Sequence, residues 1–217
     1  MTGKSRFKWI KSLQVKKYRQ AEQCFLVQGW KGTEALLRSR YEVLTIAATA
    51  ETMPRIGLLL AGRKTEVMEV SQAELESVGS FQSNDAVLAV ARMRVPEMPE
   101  PGRGPLLVLD DIRDPGNLGT IIRTADWFGI KNIAASATSV DFYNPKVISA
   151  TMGSFCNVNV WYGDLGQLLD DQDCEIYGAF LGGTDIRECR FSKSPVMVIG
   201  NESAGISPEV GRLVGHR

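Results

Sequence analysis

The sequence predicts an α/β protein built from two modules, and three features carry that expectation. Short apolar runs of strand length alternate with segments of helical periodicity along the chain. Residues Arg94 to Pro105 hold four prolines and two glycines in twelve positions. Proline removes backbone donors and disfavours helix before it, so this stretch reads as an extended, rather stiff connection. Directly after it, the apolar run Leu106-Leu107-Val108-Leu109 leads through Asp114-Pro115-Gly116-Asn117 into a helical pattern. A buried strand that turns straight into a helix is the repeating unit of a parallel sheet covered on both faces. The expected organisation is a domain over residues 1–95, a linker over 96–105 and a second domain over 106–217.

The first domain opens with a strongly basic stretch. The formal net charge of zero conceals it: residues 1–40 carry ten Lys or Arg against Glu22 and Glu34, and the remainder is correspondingly acidic. Residues 4–20 read as a helix with Trp9, Ile10 and Leu13 near one face and no acidic residue anywhere. Lys8, Lys11, Lys16, Lys17 and Arg19 are the candidates for contacting a phosphate backbone, with Trp9 and Tyr18 interleaved among them. A strand is expected at Cys24–Val27, a helix at Gly29–Arg38, a strand at Val43–Ala48 and a short helix at Pro54–Ala61. Further strands are expected at Val67–Val70 and Ala86–Ala91, with Ser71-Gln72-Ala73-Glu74 between them as a capping box. Phe81 to Asp85 reads as a polar turn that could lie near RNA, with nothing in it that requires such a contact. The alternation implies a mostly parallel or mixed sheet.

In the second domain the helix is expected from Leu118 to Phe128, with Asn117 as its cap and Arg123 about two turns in. Ligands of open α/β sheets bind at such carboxyl ends of strands, and an asparagine, an arginine and helix amides gathered there suit a phosphate-bearing substrate. Strands follow at Asn132–Ser136, Val158–Trp161, Glu175–Phe180 and Val196–Ile199, and a helix at Leu165–Leu169. The polar loop 138–146 leads into Val147–Gly153. The last strand enters Gly200-Asn201-Glu202-Ser203-Ala204-Gly205-Ile206, where glycines let a ligand approach the backbone. Ser207-Pro208 then has the chemistry of a helix start, a cap followed by a first-turn proline.

Composition excludes several classes. No apolar run reaches membrane-spanning length, and the basic N-terminus has no apolar core behind it, so neither a membrane anchor nor a signal peptide is expected. Cys24, Cys156, Cys174 and Cys189 are scattered and His216 is the sole histidine, so no metal site is expected. Reduced cysteines place the protein in the cytoplasm. A nucleotide-dependent oxidoreductase lacks its fingerprint, since no G-x-G-x-x-G follows the first strand of either half.

Taken together, Asp114 to Ala125, Ile199 to Ile206, the intervening Asp141-Phe142-Tyr143-Asn144-Pro145-Lys146-Val147 and Ala150-Thr151-Met152-Gly153 resemble the SpoU/TrmH branch of the SPOUT RNA methyltransferases. Lys16-Lys17-Tyr18-Arg19 and Phe25-Leu26-Val27-Gln28-Gly29 resemble the ribosomal-protein-like substrate-binding domain of members acting on ribosomal RNA. Two ordered motifs about eighty residues apart are far more specific than one glycine-rich loop.

The resemblance implies methyl transfer from S-adenosylmethionine to a ribose 2′-hydroxyl, in a knotted parallel-sheet domain that works as a homodimer on RNA, ribosomal rather than transfer. It implies a catalytic role for Arg123, with Asn117 orienting it or the ribose, and Glu202 pairing with an arginine or fixing the second loop. Gly200, Ile206, Leu181 and Gly182 would line the cofactor pocket. A third motif is expected just beyond Arg217, where the knot would be threaded and the pocket completed. It is absent from the sequence given, and truncation is the expected reason. The alternatives are an RNA-binding or assembly protein with an inactive methyltransferase domain, or a transfer-RNA 2′-O-methyltransferase.

Overall fold

The computed structural model describes residues 3–60, 62–79, 86–170 and 173–217; the polar turn at 81–85 lies outside them. The chain divides into two compact units. One combines Met1–Val95 with Asp141–Cys156, the other Pro96–Val140 with Asn157–Arg217.

In the first unit the chain runs α1 (Gly3–Ser12), α2 (Lys16–Glu22), β1 (Cys24–Gln28), α3 (Trp30–Arg38), β2 (Val43–Ala48), α4 (Met53–Leu59), β3 (Glu66–Glu69), α5 (Gln72–Val78) and β4 (Val87–Arg92). The sheet is mixed, in the order β1-β4-β2-β3. Strand β4 is antiparallel to both β1 and β2, and β3 is parallel to β2. The expected capping box starts α5: Ser71 accepts from the Glu74 amide, and the Glu74 carboxylate accepts from the Ser71 amide.

The expected single helix over 4–20 is two. Ile10 and Leu13 are fully buried at the end of α1, and the chain turns over Leu13–Val15 before α2 begins. That turn leaves carbonyls without helical partners, and Arg19 supplies the donors. Its guanidinium bonds Leu13 O at 3.0 Å, Gln14 O at 2.7 Å and the Asp141 carboxylate at 2.6 Å. Arg19 is 2 % exposed, so its assignment to RNA binding is corrected: it is a buried structural cation.

Asp141–Cys156 joins this unit although it lies between two strands of the other, and the reason is aromatic packing. Phe25 stands 4.6 Å from Tyr143 and 5.8 Å from Phe155, and Tyr41 stands 5.9 Å from Phe155, ring centre to ring centre. Within the segment, the expected polar loop gives way at Pro145 to a helix, α7 (Pro145–Ala150), capped by Asn144.

The second unit holds β5 (Leu106–Leu109), α6 (Pro115–Trp127), β6 (Asn132–Ser136), β7 (Asn159–Gly163), α8 (Leu165–Leu169), β8 (Ile176–Gly178), β9 (Val196–Ile199) and α9 (Pro208–Gly211). All pairings are parallel, in the order β7-β6-β5-β9-β8. All four residues of β5 are buried, as a central parallel strand requires. Leu106, Val108, Leu168, Val196, Val198 and Val210 belong to the core that α8 and α9 close. Strand order reverses at β5, with β6 and β7 on one side and β9 and β8 on the other. The loops leaving β5 and β9 are therefore neighbours at the switch point where doubly wound sheets bind ligands. Among the described residues no helix is long and apolar enough to cross a membrane.

Candidate functional site at the switch point

Strand β5 leads into Asp110 and Asp111, and the chain then turns to Asp114. Asp114 caps α6, its carboxylate accepting from the Asn117 amide at 2.8 Å. The expectation that Asn117 is the cap is therefore corrected. Both residue types cap well, and Pro115, favoured at the first helical position, selects the residue before it. Freed from capping, the Asn117 side chain donates to Glu202 Oε1 at 2.6 Å, eighty-five positions away.

Glu202 sits on the loop after β9, which is closed on itself. Asn201 and Gly205 exchange backbone hydrogen bonds of 3.0 and 2.9 Å. Asn201 Oδ1 accepts from the Ser203 and Ala204 amides. Gly200 is required by this closure: a Cβ there would lie 2.1 Å from the Gly205 carbonyl carbon and 2.2 Å from the Ile206 nitrogen. Gly205 takes φ +71°, a conformation that favours glycine. Two bonds tie the loop back to the residues that follow β5. Asn201 Nδ2 donates to Asp111 O at 2.9 Å, and the Ser207 amide donates to Asp110 Oδ2 at 2.7 Å. Ser207 caps α9, as its sequence predicts.

The loop forms one wall of a cavity of about 880 Å³. The other walls come from β8 and the chain after it, including Tyr177, Phe180, Thr184 and Phe191, with His216 stacked 4.6 Å from the Tyr177 ring. Three of the four residues expected to hold a cofactor, Gly200, Ile206 and Leu181, line this cavity. Gly182 is not among the lining residues; it turns the chain between Leu181 and Gly183 at φ +78°. Glu202 lines the cavity and so joins it to Asn117.

Arg123 lies six residues beyond Asn117 on α6, about 9 Å along the axis and roughly two-thirds of a turn around it. It is exposed and makes no hydrogen bond or ion pair among the described residues, including none with Glu202. Its guanidinium is therefore open to an external anion. After β5, Arg113 and the Thr138 hydroxyl hold the Asp111 carboxyl below the usual carboxylate range. In the N-terminal unit Lys8, Lys11, Lys16 and Lys17 are exposed, as is Tyr18, at 47 %.

Sequence reasoning missed the aromatic wall of Tyr177, Phe180 and Phe191, because no motif spacing marks it. It also missed Asp110, although the residue stands directly after β5, four positions before the first motif. The four cysteines are free, and no cluster of three potential metal ligands occurs among the described residues.

Comparison with known proteins agrees with this geometry. Residues 104–216 match the SpoU rRNA Methylase family and residues 4–89 the MRM3-like substrate binding domain. The chain is 30 % identical over 200 residues to the 23S rRNA (guanosine(2553)-2′-O)-methyltransferase RlmP of Bacillus subtilis, covering 90 % of this chain and 79 % of that protein. It is 28 % identical over 165 residues to a 23S rRNA (uridine(2479)-2′-O)-methyltransferase of Streptomyces viridochromogenes, covering 69 % and 57 %. The crystal structure of an AdoMet-bound rRNA methyltransferase from Sinorhizobium meliloti superposes with a TM-score of 0.85 at 27 % identity, covering all of this chain and 85 % of that one. With both motifs brought together at the switch point of a parallel sheet, the chain belongs to the SpoU rRNA Methylase family.

Proposed function

We propose that this protein transfers the methyl group of S-adenosylmethionine to a ribose 2′-hydroxyl of ribosomal RNA. The observation that supports this reading most is the Asn117–Glu202 hydrogen bond, which joins the start of α6 to the rim of the cavity. The cavity suits the cofactor. Its size falls in the range of small-molecule sites, aromatic side chains offer faces to an adenine, and the Gly200–Gly205 loop presents backbone where a side chain would intrude. Gly200, Ile206 and Leu181 would hold it, with Gly182 shaping the turn beside them. When bound, it supplies a methyl group activated by a sulfonium.

The chain's own residues do the rest. A ribose hydroxyl attacks only as its proton leaves and negative charge builds on the oxygen. A guanidinium presents donors and no acceptor, so Arg123 is not a simple base. It grips a phosphate beside the target ribose and stabilises the incipient alkoxide, and that phosphate shares in taking the proton. Asn117, held by Glu202, orients the ribose. Lys8, Lys11, Lys16 and Lys17 engage the RNA backbone. The two 23S relatives act on a guanosine and a uridine, so the sugar rather than the base is what their reactions share. We place the enzyme in the cytoplasm as a homodimer, with the knotted topology of its family.

The test is to map ribose methylations in RNA from cells with and without the gene, and to assay the full-length protein with labelled S-adenosylmethionine. One ribosomal ribose should lose its methyl group in the deletion strain. R123A should abolish transfer while cofactor affinity stays unchanged. A protein that binds cofactor and RNA but methylates no ribose would establish the assembly role instead, and loss of a transfer-RNA methylation alone would reassign the substrate.

A further inference from the structure

Asp110 is the only buried carboxylate among the described residues, 6 % exposed at the end of the all-apolar strand β5. Burying a carboxylate is unfavourable unless it is hydrogen-bonded, so its partner identifies what it does. That partner is the Ser207 amide, at 2.7 Å and ninety-seven positions away. Asp110 is itself fixed, its amide donating to Ile199 O at 2.9 Å. The next residue, Asp111, takes φ +61° and accepts from the Asn201 side chain through its carbonyl. Two consecutive residues at the end of one strand thus hold the entry and the exit of the loop that walls the cavity. Ile206, which lines the cavity, sits directly before the bonded amide.

We propose that Asp110 is a positioning residue for methyl-donor binding: its carboxylate sets Ser207, and through it Ile206, so that the cavity wall is formed before the donor arrives. The proposal rests on the methyltransferase reading. A preformed wall raises affinity because loop ordering is not charged against binding. The bond is charge-assisted, of a kind whose loss is felt as about tenfold or more in a dissociation constant.

The experiment is calorimetric binding of S-adenosylmethionine to the full-length protein, with KM and kcat measured alongside. D110A should raise Kd and the donor KM about tenfold or more and leave kcat at saturating donor nearly unchanged. D110N should recover part of the affinity, because its amide oxygen accepts the same N–H without the charge. Ser207 has φ −60°, the value proline takes, so S207P deletes the donor, while S207A keeps it and removes only the capping hydroxyl. S207P should bind more weakly than S207A, and should add little to D110A in a double-mutant cycle. Wild-type affinity in D110A overturns the proposal, as does a D110N as weak as D110A, or full additivity of D110A and S207P. If D110A does not fold, the S207P–S207A pair decides, and equal affinities overturn it. A wild-type protein that binds no donor would instead defeat the methyltransferase reading itself.

Discussion

Replacing Gly200 by alanine is the sharpest probe of the cavity loop. The new methyl carbon would lie 2.1, 2.2 and 2.3 Å from the Gly205 carbonyl carbon, the Ile206 nitrogen and the Gly205 oxygen. All three are backbone atoms, and ordinary contact begins at 3.4 Å, so the loop must move by more than an ångström. The displaced backbone is the part held by the paired Asn201–Gly205 bonds of 3.0 and 2.9 Å. At about 1 kcal/mol net each, their loss amounts to about 2 kcal/mol. Falling on the cavity wall, that is roughly a thirtyfold loss of affinity for S-adenosylmethionine. Isothermal titration would read it, with thermal melting to separate local from global damage. A G200A protein that binds the cofactor and melts as the wild type does would refute both the closure of this loop and its place in the site.

Three other outcomes follow from particular residues. D141A leaves the buried Arg19 guanidinium without its counter-charge and should destabilise the N-terminal unit by roughly 3 kcal/mol in chemical denaturation; an unchanged midpoint would mean the ion pair contributes nothing. Gly57 is an exposed position of α4 where an added methyl group would meet no atom within 4 Å, so G57A should stabilise by about 0.5–1 kcal/mol, and a loss of stability would contradict the helix there. Exchanging Lys8, Lys11, Lys16 and Lys17 together for glutamine should weaken RNA binding and flatten the slope of log affinity against log salt by about 3 if each contacts a phosphate. An unchanged slope would return α1 and α2 to a purely structural role.

Much of this protein is legible from local pattern. β2, β5, β6, β9 and α8 fall on the residues their apolar runs mark, because burial on both faces of a sheet, or of one helix face, writes itself directly into sequence. The capping box at Ser71 and the cap-proline start at Ser207 are equally local and equally visible. The two motifs, and through them the family, could be read from the residues alone.

Local pattern failed where a residue answers to something distant. Arg19 looks like its basic neighbours until the end of α1 and Asp141 claim its guanidinium. Asn117 and Asp114 are rival caps by composition; only the folded helix start assigns the cap to Asp114 and leaves Asn117 to reach Glu202. Asp141–Cys156 lies in sequence between strands of the second sheet, yet its rings pack on Phe25 and Tyr41. Sequence alone determined which residue types and elements are present, because propensity and periodicity act over a few residues. Tertiary structure alone decided which polar groups meet, because a hydrogen bond spanning eighty-five or ninety-seven positions exists only once strand order has made neighbours of β5 and β9.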